Sequence, residues 1–278
     1  MNKTKIEWCD STWNPVTGCK HECVCCYARG IAKRFGGVWD GDSNTRMYLT
    51  GESPIEVTGS EFDGYGLKYR VGNDSNGKPK LINAPYPYGF HPTLHRHRLE
   101  SGVQRWKNPR NIFVGSMCDL FGYWVPSKWI EDVFEACDKA PQHRYLFLTK
   151  NRSMSKNNEK LSMLQKFFNN GNNKWFGYSV ECGSQLVSAL SVGIKNTFLS
   201  MEPLAYNACN PFQYGVFIER VKWVIIGAET GNRKGKVIPN RECVETIVKD
   251  CREREIPVFM KDSLAKVWGE PLIQEYPW

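Results

Sequence analysis

Arg144-Tyr-Leu-Phe-Leu-Thr-Lys150 is apolar at almost every position and ends in a hydroxyl and a charge. It is too short for an ordinary helix and lacks the polar alternation of a half-exposed strand. It therefore predicts a strand buried on both faces, as strands of parallel sheets are. Similar runs lie on either side. Asn111-Ile-Phe-Val-Gly-Ser116 precedes it, separated by residues 129–137, which carry apolar side chains at helical spacing with Ser127 as an N-cap. After it come a helix over 161–168, the strand Lys174-Trp-Phe-Gly-Tyr-Ser-Val-Glu181, and a helix over 184–192. Asn196-Thr-Phe-Leu-Ser-Met-Glu202, closed by Pro203, is the next strand. Lys222-Trp-Val-Ile-Ile-Gly-Ala-Glu229, a helix over 241–253 and Ile256-Pro-Val-Phe-Met-Lys261 complete the series.

Toward the N-terminus, Lys5-Ile-Glu-Trp-Cys9 predicts the first strand and residues 10–18, with Asn14-Pro15 and Gly18, a loop. Residues 27–35 predict a short helix stopped by Gly36-Gly37. Strands alternating with helices mean an α/β fold with a parallel sheet. Seven such strands suit a partial or near-complete parallel (β/α) barrel, with a doubly wound sheet as the alternative. The expected organisation is one domain over 1–278 with an insertion at about 37–92. Within the insertion, Ile55-Glu-Val57 and Leu67-Lys-Tyr-Arg-Val71 are expected to pair as a hairpin, and Gly72-Asn-Asp-Ser-Asn-Gly77 to turn. A lid over the mouth of the barrel and a surface excursion are both open readings of this segment.

The 278 residues are 41% hydrophobic and 13% aromatic, the composition of a folded chain rather than a disordered one. No apolar run approaches the ~20 residues of a membrane span. The first residues, Met-Asn-Lys-Thr-Lys-Ile-Glu-Trp, carry charge without an apolar stretch behind it, so no signal peptide is expected. A cytoplasmic protein follows as the expectation. Eleven cysteines in such a compartment favour metal binding, burial or reactivity over disulfides. Thirty-seven Lys and Arg against 29 Asp and Glu give a net charge of +8, a bias slightly favourable to a nucleic-acid partner.

The chemistry concentrates in Cys19-Lys-His-Glu-Cys23-Val-Cys25-Cys26-Tyr27. Thiolates this close in sequence cannot all pair with one another, but on a loop they can converge on a soft metal centre. Cys19, Cys23 and Cys26 would leave a 4Fe-4S cluster one protein ligand short and one iron open to a small molecule, and the fourth cysteine, Cys25, leaves the ligand choice open in principle. A structural zinc site is the alternative, with Cys9, His21 or Cys25 as fourth ligand.

A second concentration lies at the strand ends: Gly115-Ser116-Met-Cys118-Asp119, Thr149-Lys150, Ser179-Val-Glu181, Ser200-Met-Glu202, Gly227-Ala-Glu229 and Lys261-Asp262. In a barrel these share one rim around one cavity. They form either a binding site or a structural network in which Lys150 and Lys261 neutralise the glutamates. Between insertion and barrel, His95, Arg96, His97, Arg98, Arg105, Lys107 and Arg110 with Trp106 make a basic segment. It is either solvated surface or a set of phosphate and base contacts.

The three-cysteine loop resembles that of the radical SAM superfamily, although Cys25 stands where that family usually has an aromatic and Tyr27 follows one step later. Further motifs are similar to those of a phage-associated family within it. They are Ile6-Glu-Trp, Thr12-Trp-Asn-Pro-Val-Thr-Gly-Cys19, Val114-Gly-Ser-Met-Cys-Asp-Leu-Phe121, Leu146-Phe-Leu-Thr-Lys150, Leu199-Ser-Met-Glu-Pro-Leu204 and Ile226-Gly-Ala-Glu-Thr-Gly231. The chain is also distantly similar to the spore photoproduct lyases, which act on a thymine dimer in DNA.

The resemblance implies a barrel of the radical SAM type. It implies a 4Fe-4S cluster on Cys19, Cys23 and Cys26, with S-adenosylmethionine on the open iron as source of a 5′-deoxyadenosyl radical. Gly115, Ser116 and Asp119 are then candidates for the cofactor's amino group, in place of that family's usual Gly-Gly-Glu. Ser179 and Glu181 are candidates for its ribose, and Tyr27, Ser200, Glu202 and Glu229 are further candidate residues. Cys118 and Lys150 are the catalytic candidates, Cys118 as a hydrogen-atom donor. The implied partners are a DNA, RNA or nucleotide substrate, a reducing electron donor such as flavodoxin or ferredoxin, and room for a companion protein. A non-catalytic, zinc-stabilised nucleic-acid-binding protein is the competing expectation. A metal-assisted hydrolase ranks last, for want of a His-x-His or His/Asp ligand set at the strand ends.

Overall fold

A computed structural model describes residues 4–39, 46–47, 55–57, 68–73, 75–83, 85–100, 102–151, 158–180, 193–204, 221–231, 233–269 and 271–278. The chain packs as two compact units. One comprises Met1–Thr12, Asn108–Val114 and Pro141–Trp278; the other comprises Trp13–Lys107 and Gly115–Ala140.

The first unit is built on a seven-stranded sheet. In chain order the elements of the whole structure are β1 (Ser11–Trp13), β2 (Val16–Thr17), α1 (Tyr27–Phe35), β3 (Val38–Trp39), β4 (Arg46–Met47), β5 (Ile55–Val57), β6 (Lys68–Asn73), β7 (Pro79–Asn83), β8 (Thr93–His95) and α2 (Arg96–Glu100). They continue with β9 (Asn111–Val114), α3 (Ser127–Asp138), β10 (Arg144–Thr149), α4 (Asn158–Asn169), β11 (Lys174–Ser179), β12 (Thr197–Met201), β13 (Val224–Ile226), α5 (Arg241–Glu253), β14 (Val258–Met260) and α6 (Ala265–Trp268). The sheet runs β1-β9-β10-β11-β12-β13-β14, and the pairs from β9 to β14 are all parallel. From β9 onward each strand lies beside the next one in the sheet's sequence order, with no reversal. That is the curled half-barrel arrangement, not the doubly wound one, whose order reverses at a switch point. No described helix is long and apolar enough to cross a membrane.

Register decides which side chains share a face. Phe113 lies beside Leu146, Leu146 beside Trp175, Gly177 beside Phe198, Ser200 beside Ile225, and Ile225 beside Phe259. Side chains alternate along a strand, so all of these point the same way. The large ones form one buried cluster with Trp8 and Trp223. Trp278 and Tyr276 pack against Trp223 with ring centroids 5.2 and 5.7 Å away, and the Arg144 guanidinium lies 4.1 Å over Trp278. Carried past the strand ends, the same alternation puts Lys150, Glu202 and Lys261 on this face, above the aromatic layer. The opposite face belongs to helices. Phe147 meets Phe167 and Phe168 of α4 at 5.8 and 5.3 Å, and Phe168 meets Phe176 at 5.0 Å. In α5 the buried Cys243, Val244, Ile247, Val248 and Cys251 recur at helical spacing. Asn240 caps that helix, its side chain accepting the Cys243 amide at 3.2 Å.

Several local expectations are corrected. Residues 5–9 are not a strand: the chain turns there, with the Cys9 amide bonded to Ile6 O, and the Trp8 ring enters the core 4.7 Å from Phe113. The strand is β1, inside the stretch assigned to a loop. Ser127 is the first residue of α3, not its cap; Pro126 holds the cap position and makes no side-chain bond. Ile55–Val57 does not pair with 67–71. It pairs in parallel with β8, while β6 pairs antiparallel with β7 across the Asn/Gly turn. The expected helix over 184–192 lies outside the described residues.

In the second unit β2, β8 and β5 form a three-stranded sheet. The helix α1 has the predicted bounds and buries only Ala28 and Ala32, against Met117. Here the start of the basic segment turns inward. His95 is fully buried and shares a 2.9 Å hydrogen bond with Thr17 Oγ1. Arg98 donates to Asn14 O at 2.8 Å and Pro85 O at 2.9 Å, and Arg96 to Asp132 at 2.5 Å. Backbone carbonyls need donors when a loop packs inward, and this segment supplies them. Arg105 and Lys107 remain exposed.

Candidate functional site

The cysteine loop lies between β2 and α1 in the second unit. Its entry requires Gly18, whose φ is +86° and whose Cβ would stand 2.0 Å from His91 O. Gly18 N donates to Met117 O at 2.9 Å, and Cys19 N to Phe90 O at 3.2 Å. The exit is α1, with Cys26 at its N-cap: the thiol accepts the Arg29 amide at 3.3 Å. Thiols are uncommon caps, but the orphan amides of a first helical turn favour a thiolate as they favour any anion. Cys19 Sγ accepts the His21 amide at 3.5 Å.

The loop faces the turn after β9. Gly115 there has φ +81°, and a Cβ on it would lie 3.1 Å from Cys118 Sγ. Asn14 holds the turn by accepting the Met117 amide at 2.9 Å and bonding Ser116 Oγ at 3.1 Å. Tyr27 OH donates to Ser116 O at 2.7 Å. Asp119 is buried; its Oδ2 lies 2.6 Å from His21 Nε2 and its Oδ1 accepts the Phe121 amide at 3.1 Å. Thus Cys19, Cys23, Cys26, Tyr27, Gly115, Ser116, Cys118 and Asp119 all belong to one neighbourhood of one unit. Sequence reasoning offers His21 only as an alternative zinc ligand and Asn14 only as a loop residue. The signal for Asn14 is its place in the Thr-Trp-Asn-Pro-Val-Thr-Gly-Cys motif; His21 gives none beyond its place between two cysteines.

Burial pushes the Cys19 thiol up to about 12; the His21 amide opposes this, while Asp119, Cys23 and Cys26 add to it. Burial likewise drives Cys118 well above its ordinary value, with Asp119 and Cys19 adding to the shift. The charges acting on these thiols are therefore negative, and ionising them requires a positive centre. Binding of a metal group supplies one, and releases the protons. Among the described residues, no three or more His, Cys, Asp or Glu side chains are drawn together tightly enough to hold one metal ion. A cluster gives each thiolate its own iron, so it asks for a wider spacing than tetrahedral zinc does. Three thiols in one loop, two of them accepting amide N–H bonds, suit a 4Fe-4S cluster, in which such bonds adjust the potential. Eight of the described cysteines are free thiols, including all of this loop, and Cys243 is disulfide-bonded.

The strand-end residues of the first unit are differently placed. Lys261 Nζ lies 2.5 Å from Glu202 Oε1 and 3.6 Å from Glu7 Oε2. Glu229 takes a bidentate pair from Arg233 at 2.5 and 2.6 Å and the Val237 amide at 2.9 Å. The Arg233 guanidinium, helped by that amide, holds the Glu229 carboxyl down at about 2. Ser200 is buried, whereas Ser179 and Lys150 are half-buried. Glu181 lies outside the described residues. The structure thus brings Glu202 and Lys261 together as an ion pair and gives Glu229 partners from the segment that follows it.

The family model described as a protein of unknown function, DUF5131, matches residues 3–62 and 70–272. No curated protein and no solved structure matches the chain. The family match spans nearly the whole sequence, from ahead of the core tryptophan Trp8 through both polar concentrations to the segment after β14, and the chain belongs to the DUF5131 family.

Proposed function

We propose that the protein is a radical SAM enzyme, with a 4Fe-4S cluster on Cys19, Cys23 and Cys26 and S-adenosylmethionine as co-substrate. The observation that carries this reading is the loop itself. Three thiols at the spacing 19-23-26 sit between a strand and a helix, and burial disfavours ionisation of the Cys19 thiol until a cationic group arrives. The half-barrel of parallel strands agrees with the reading, because folds of this kind carry their chemistry at strand ends.

Held by Cys19, Cys23 and Cys26, a cluster would supply one-electron reductive cleavage of S-adenosylmethionine, with a donor such as flavodoxin or ferredoxin providing the electron. The chain's own part is binding and orientation. Cys26 anchors one ligand to the first turn of α1. Tyr27 ties that turn to Ser116, and Asn14 fixes the Ser116–Met117 backbone opposite the loop. A DNA, RNA or nucleotide substrate follows from the resemblance to the spore photoproduct lyases and the positive net charge.

Anaerobic purification, followed by measurement of iron, sulfide, zinc and the visible spectrum, tests the reading. The expected result is a brown protein with about four irons per chain that cleaves S-adenosylmethionine under reduction. A colourless protein holding one tight zinc, with no cluster after reconstitution, would refute it and favour the zinc-stabilised nucleic-acid-binding alternative.

A further inference from the structure

We infer that His21 and Asp119 are a positioning pair for the cysteine loop: Asp119 holds the His21 ring, and through it the backbone between Cys19 and Cys23, in the form that receives the metal group. The inference rests on the cluster reading above and assigns work to two residues that this reading leaves outside the ligand set.

Ties between the loop and the turn after β9 fall at its start, its middle and its end. Gly18 N to Met117 O fixes the start, and Tyr27 OH to Ser116 O fixes the end. The His21–Asp119 contact holds the middle. At 2.6 Å it is short. Asp119 is itself fixed, since Oδ1 takes the Phe121 amide and its side chain is only 6% exposed. The Trp124 ring packs edge-to-face with that of His21, centroids 4.9 Å apart.

Two consequences reach the thiols. The amide of His21 is the one that bonds Cys19 Sγ, so the ring's anchor also sets that N–H···S bond. The next residue, Glu22, has φ +55° without being glycine. Such a conformation is strained for a residue with a Cβ and persists where its surroundings impose it. Here it lies between the anchored His21 and the Cys26 N-cap. Partners outside the ligand shell orient metal ligands in this way, and their removal typically weakens metal binding by about 10- to 100-fold.

The test compares wild type with His21→Ala, His21→Gln and the double variant His21→Ala/Asp119→Ala. Three quantities are read: amide hydrogen exchange of residues 18–27 in the metal-free chain, iron and sulfide retained after anaerobic reconstitution, and the cluster's midpoint potential. In His21→Ala, exchange should accelerate, iron retention should fall by about tenfold or more, and the potential of whatever cluster remains should shift. In His21→Gln, whose amide N–H still reaches Asp119, all three should largely recover. The double variant also loses the acceptor of the Phe121 amide, so exchange there should rise as well, but its iron retention should fall no further than that of His21→Ala. Wild-type iron retention, potential and exchange in His21→Ala would overturn the inference while leaving the cluster reading intact. A wild-type chain that takes up no iron, with exchange still accelerated in His21→Ala, would end the cluster reading and reduce the pair to a brace of the loop.

Discussion

The cysteine loop and the carboxylate rim are both dense in ionisable groups, yet they are electrostatically opposite. At the rim each described glutamate meets a cation: Glu202 and Glu7 share Lys261, and Glu229 is gripped by Arg233. In the loop, Asp119, Cys23 and Cys26 act on Cys19 with the same sign, and burial pushes the same way. The rim glutamates are met by cations of the chain itself, whereas burial and nearby negative groups keep Cys19 a neutral thiol. The difference separates ionised groups paired within the fold from a thiol held neutral, a distinction that residue type does not make.

The contrast breaks most visibly at Cys19. Cys19→Ala should reduce cluster iron from about four per chain to near zero while leaving the unfolding midpoint of the metal-free protein nearly unchanged, as followed by metal analysis and urea titration. A variant that unfolds at lower urea but keeps its iron would reverse the assignment of roles. The converse experiment is Lys261→Met. It leaves Glu202 and Glu7 without their shared cation and should destabilise the protein by about 1–3 kcal/mol, measured by urea unfolding, without loss of iron. Unaltered stability would show that water already satisfies those carboxylates.

The smallest effect sharpens the comparison through pH. The Glu229 carboxyl is held at about 2 against an ordinary value of 4.5, so the unfolded chain takes the proton more readily than the folded one. Its contribution to stability is therefore complete above pH 4.5 and drains away as pH falls toward 2. The stability gap between wild type and Glu229→Gln, read from urea unfolding at several pH values, should be widest above about pH 5 and close near pH ~2. A gap independent of pH would mean that Glu229 acts by packing rather than charge.

Much of the first unit was legible in the chain because its signals are local. Apolar runs marked the parallel strands from β9 to β14, and a helical apolar stripe marked α5 with its observed bounds. The short helix after the cysteines was equally plain, bounded by Cys26 and a glycine pair. The misreadings share a cause: the decisive partner is remote. The alternation in Lys5-Ile-Glu-Trp-Cys9 imitates a strand, but Trp8 is claimed by Phe113, Phe198 and Trp223. Ile55–Val57 takes its partner from residues 93–95 rather than from the nearer 68–71. The basic character of 95–98 suggested a surface, whereas His95 and Arg98 are needed inside by Thr17, Asn14 and Pro85.

By itself the sequence determined the alternation of strands and helices and the close spacing of Cys19, Cys23 and Cys26, because propensity, periodicity and chain length act over a few residues. Tertiary structure alone decided the uses of the polar groups. It matched Glu202 to a lysine 59 residues away and brought Asp119 to a histidine 98 residues earlier. It also turned Arg98 inward to carbonyls. Such pairings depend on strand register and on which buried groups remain to be satisfied, and both are properties of the packed chain.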